Sequence, residues 1–139
     1  METTSAADTT SLADAARAHL ERARAAVHGR SAHTVHGGHG RALRQTVIAL
    51  RAGTTLREHH SSRDGTLQVL AGRVRLTSGR QTLDAVTGDL LTVPATAHTL
   101  SAVEDSALLL TVSLVLGAPD PVATATSADS VYSWQEDWE

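Results

Sequence analysis

Seven runs between Leu43 and Leu116 decide the fold: LRQTVIAL (43–50), TLQVLAG (66–72), RVRLT (73–77), RQTLDAV (80–86), DLLTV (89–93), HTLSAV (98–103) and SALLLTVSLVL (106–116). Each is short, rich in Val, Leu, Ile and Thr, and closed by a Gly, Pro, Asp or Ser cluster, the pattern of half-buried strands joined by tight turns. A spacing of roughly ten residues, with no helical period between runs, calls for an antiparallel sandwich or barrel. In RVRLT, Arg73 and Arg75 alternate with Val74 and Leu76, so the arginines take the solvent face and the aliphatic pair the core.

Upstream, residues 1–10 are Thr, Ala and acid without periodicity and read as a disordered lead-in. SLADAARAHLERARAAVHG then predicts an amphipathic helix over 11–29, with Ser11 and Asp14 as a capping box and Gly29 as the stop. Leu12, Ala16, Leu20, Ala23 and Val27 form its apolar stripe, opposite Arg17, Glu21, Arg24 and His28. Two of those five are Ala, so the helix needs a surface to lie on, the barrel or a second subunit. The barrel is expected over 30–117 and a Pro-, Ala-, Ser- and Thr-rich tail over 118–139. The chain has no Phe, and its two Trp and one Tyr (Trp134, Trp138, Tyr132) all stand in that tail. The core must therefore be aliphatic, and the tail aromatics are expected to dock on the protein.

With 139 residues, 41% hydrophobic and 19% charged, the chain fits one soluble globular domain. There is no Cys, which excludes disulfides, thiolate zinc sites and a Cys nucleophile. Every basic side chain is Arg, which excludes Schiff-base and Walker-type lysine chemistry. No run of about 20 apolar residues and no charged-then-apolar leader is present, so a cytoplasmic protein is expected, with no membrane partner. A net charge of -3 and a single helix argue against nucleic acid. His33, His36 and His39 invite a metal reading, but Gly37 and Gly38 break the helix that would align them, so they are expected as loop and strand-end residues.

The stretch from Gly53 to His98 resembles the two motifs of the cupin superfamily, small RmlC-like double-stranded β-helix (jelly-roll) barrels. Gly53 is followed six positions later by His59, and Leu67-Gln68-Val69-Leu70-Ala71-Gly72 matches the strand and turn that end the first motif. Gly88-Asp89-Leu90-Leu91-Thr92-Val93-Pro94 followed by His98 matches the second. The resemblance implies an all-β barrel and one divalent ion (Fe, Mn, Ni or Zn) held by His59 and His98. Two departures stand out: Ser61 occupies the place of the motif's second His, and Gly65 that of its Glu. His60, Glu58 and Gln68 could complete the set or touch substrate, although strand alternation puts all three on the face opposite His59 and Gly65.

Two functions of different class follow. One is a metal-dependent enzyme, an oxygenase or isomerase acting on a small metabolite, as the resemblance implies for many small cupins. The other is a metal-poor module that binds or senses a small ligand without chemistry. A homodimer is expected, because sheet edges and an Ala-rich helix face favour a symmetric partner.

Overall fold

The computed structural model describes residues 7–38, 40–58 and 64–114. One helix, α1 (Leu12–Ala25), precedes nine strands: β1 (Arg30–His36), β2 (Leu43–Leu50), β3 (Thr55–Glu58), β4 (Gly65–Ala71), β5 (Arg73–Ser78), β6 (Gln81–Val86), β7 (Leu90–Thr92), β8 (His98–Ala102) and β9 (Ser106–Ser113). They form two antiparallel sheets, ordered β1-β2-β9-β4-β7 and β3-β8-β5-β6. This is the expected jelly roll. All seven quoted runs are strands; β1 and the short β3 add to them.

Between the sheets lies a purely aliphatic core that includes Ile48, Leu50, Leu67, Val69, Val74, Leu76, Leu100, Leu108 and Leu110. Alternation assigns these residues inward, as in β5, where Val74 and Leu76 are buried while Arg75 faces out and holds Asp84 at 2.8 Å. That bond keeps the Asp84 carboxyl below its ordinary range. In β2 and β9 the outward residues Val47, Ala49, Ala107 and Leu109 are buried too, because α1 packs across the outside of this sheet.

The helix begins as its capping box predicts, with the Ser11 hydroxyl accepting from the Asp14 amide at 3.1 Å. It ends at Ala25, four residues before the expected Gly29 stop. The reason is Arg51, whose guanidinium donates to the Arg24 and Ala26 carbonyls at 3.1 and 3.0 Å and so satisfies the helix end early. Asp105 completes the anchor: it accepts from Arg24 Nε at 2.7 Å and from the Ala52 amide at 2.8 Å. Val27, assigned to the buried stripe, lies beyond this stop and is 87% exposed. Its place is taken by His19, buried between Ala16 and Ala23 on the helix face that meets β1 and β2.

Candidate functional site

One end of the barrel breaks the aliphatic rule. In β3 the inward positions are Leu56 and Glu58, with Thr55 and Arg57 outside. Glu58 is in register with His98, the first residue of β8. Opposed residues on antiparallel strands share a face, and both are buried, Glu58 6% and His98 4% exposed. A carboxylate and an imidazole thus face each other where the barrel interior ends.

The same end receives the first residues of β2 and β4. Arg44 and Thr46 continue inward the row of Ile48 and Leu50; Thr46 is buried, and so is the Arg44 Nε. Gly65 starts β4 opposite Val112, and its carbonyl accepts from the Val93 amide at 2.9 Å. This bond ties the end of β7 to the start of β4, and Pro94–Ala97 then lead directly into His98.

His98 is oriented by its own turn. Its Nδ1 lies 2.8 Å from the Thr96 carbonyl oxygen, so Nδ1 carries the proton and donates it, which makes Nε2 the basic nitrogen of the neutral ring. The Ser78 hydroxyl holds the turn through the Thr96 hydroxyl (3.0 Å) and the Ala97 carbonyl (3.3 Å). The chemistry on offer is an oriented imidazole with a carboxylate across from it, a pair suited to hydrogen-bonding a small polar group.

The expectations from sequence divide here. His98 is inward and buried, at the barrel end where the resemblance puts it. Glu58 corrects the alternation argument: it faces in, on the same side as Leu56, whereas it was assigned to the outer face. Gln68 is exposed, opposite Leu90 on the outside of β4 and β7, and has no part in this end of the barrel. His59, His60 and Ser61 lie outside the described residues, as do His39 and the tail with Tyr132, Trp134 and Trp138. His33 and His36 belong to β1, a strand not read from the sequence; His33 points to the helix side, where its ring stacks on His19 at 5.6 Å. Arg44 and Thr46 were not singled out. Their signal was available, since they share parity with Ile48 and Leu50 in LRQTVIAL.

A divalent ion needs three or four protein ligands. Among the described residues no group of three or more His, Asp or Glu is placed to hold a metal ion. Gly65, at the position of the motif's carboxylate, is closely packed: a Cβ there would come 3.1 Å from Val112 Cγ1 and 3.2 Å from the Thr111 carbonyl oxygen. The described donors, Glu58 and His98, do not by themselves make a divalent site.

No family model matches the chain, and no curated protein does. Solved structures do. A conserved protein of unknown function from Streptococcus pyogenes is 26% identical with a TM-score of 0.57, over 66% of this chain and 80% of the other. A cupin superfamily protein from Desulfitobacterium hafniense is 18% identical with a TM-score of 0.56, over 62% and 78%. KdgF from a Halomonas species is 20% identical with a TM-score of 0.54, over 63% and 82%. With two antiparallel sheets in jelly-roll order and these likenesses, the chain is in fold a small cupin domain.

Proposed function

We propose that this cupin domain binds a small polar or amphipathic metabolite at the Glu58–His98 end of its barrel, as a binding or sensing module that needs no resident metal. The facing of Glu58 and His98 at the end of an otherwise aliphatic interior carries this reading. Hydrogen bonds between a ligand and a carboxylate or imidazole are strengthened where the surroundings are aliphatic, as they are here. Substitution of the motif's second His and its Glu by Ser61 and Gly65 supports the metal-poor form. The module is read as a cytoplasmic homodimer, and the edge strands β1 and β3 support the dimer. Among the described residues, no helix is long and apolar enough to cross a membrane.

One observation favours a second reading. The Thr96 carbonyl orients the His98 ring as metal-binding imidazoles are oriented, which supports a divalent ion on His98 with His59 and a metal-dependent oxygenase or isomerase activity. Titration of wild type and Glu58→Gln with small hydroxy acids and polyols, followed at the His98 imidazole by NMR, tests the first reading. A saturable His98 shift that is lost in E58Q supports it. No shift with any probe, together with one tightly held ion per chain, replaces it with the second.

A further inference from the structure

Two edge strands, one from each sheet, leave a wedge-shaped opening in the side of the barrel. β6 pairs with β5 and β7 with β4, and among the described residues no strand pairing joins β6 to β7. The wedge encloses about 470 Å³, within the roughly 300–1,000 Å³ of small-molecule sites. Its floor is core: Leu76 and Leu91 are buried on the inner faces of β5 and β7. Its walls are leucines that the fold leaves partly in water. Leu83, the register partner of Leu76, is 42% exposed, and Leu90 is 66% exposed.

The rim is polar and uncharged. Ser78, Gln81, Thr92 and Thr96 supply hydroxyl and amide groups, and none of the described residues lining the wedge carries a charge. The hydroxyls of Ser78 and Thr96, 3.0 Å apart, fix one corner of it. Exposed leucines on two neighbouring sheet edges are a liability that a soluble protein retains where something covers them. β7 has only three residues, too few for a partner chain to extend the sheet by strand addition. An ionised ligand would lose hydration against four leucines with no counter-charge.

We propose that the β6–β7 wedge is a binding site for an uncharged small molecule with an aliphatic body, seated on Leu76, Leu83, Leu90 and Leu91, and one neutral hydroxyl that donates to the Ser78–Thr96 corner. The wedge shares its Ser78–Thr96 corner with the turn that orients His98, but its leucine floor and walls are its own, and the proposal stands whether or not the Glu58–His98 reading holds.

The test uses the full chain and the uncharged dye N-phenyl-1-naphthylamine, whose fluorescence rises in apolar surroundings. Saturable binding of one dye per chain is expected, displaced by 1-octanol and not by octanoate at the same concentration. The double variant Leu83→Gln, Leu90→Gln changes exposed side chains and keeps its circular dichroism and melting temperature; it should bind at least about tenfold more weakly. Glu58→Gln should bind as wild type does. Absence of saturable binding overturns the proposal, as does displacement by octanoate equal to that by octanol, or full binding in the double variant. A wild-type dimer that this double variant dissociates, seen by light scattering, would assign the wedge to a second copy and overturn it as well.

Discussion

Gly72 and Gly79 both adopt a positive φ, +97° and +60°, and their surroundings separate them. A Cβ at Gly79 meets nothing within 4 Å, so Gly79→Ala should cost only the left-handed strain, about 1–2 kcal/mol. A Cβ at Gly72 would overlap the Asp105 carbonyl oxygen and the Ser106 hydroxyl, and that hydroxyl also accepts from the Arg73 amide at 3.0 Å. Adding the cost of overpacking, Gly72→Ala should lose about 3–5 kcal/mol. Urea unfolding of both variants checks the order; equal losses would show that the β4–β5 turn has slack the structure denies. Gly72 was legible as the end of the first motif, and so was His98 after Pro94. The face of Glu58 was not. Counting from His59 fixed the alternation one residue out of step, and only the register of β3 on β8 shows Leu56 and Glu58 as the inward pair.

At the scale of the element, α1 lies on the barrel through small residues and one histidine. Ser11→Ala removes the bond to the Asp14 amide and should cost about 1 kcal/mol by urea unfolding. His19 is the more telling residue. Its Nδ1 is 2.7 Å from the Ser31 hydroxyl and its ring stacks on His33, while Val47 and Ala49 of β2 are buried on the helix side of the sheet. Burial, helped by the charge of Arg22 and by His33, holds His19 below the ordinary imidazole value of 6.5. The folded state therefore binds fewer protons here than the unfolded chain. The His19 contribution is complete above about pH 6.5 and is lost as the pH falls below it, with a slope of at most about 1.4 kcal/mol per pH unit. Urea unfolding between pH 7.5 and 5 should show stability falling toward acid, and His19→Gln should flatten that fall; an unchanged slope in the variant would remove His19 as its source. Position 19 lies three after Ala16 and four before Ala23, so helical periodicity already put it on the stripe. The Ala-rich pattern favours Leu20 and Val27 as the apolar members, and the early stop at Ala25 was not legible because the Arg51 that caps it lies 25 residues or more further along the chain.

For the whole molecule, the turn-punctuated runs made the barrel legible, since each short run needed a neighbouring strand and a cover for its inner face. The order of strands was not legible, because β9 lies between β2 and β4 only through long-range pairing. That the start of β2, with Arg44, lies at the end where Glu58 faces His98 was not legible for the same reason, since it follows from sheet order. A dimer is expected at this scale, and light scattering at micromolar concentration should give about twice the chain's mass of 14.6 kDa; a monomer would leave the edge strands to be covered otherwise. The central claim, that the Glu58–His98 end binds a small ligand without a resident ion, is tested most directly by elemental analysis of the purified, untagged protein. The account predicts transition-metal content well below one ion per chain, unchanged in His98→Ala. One ion per chain that disappears with His98 would contradict it.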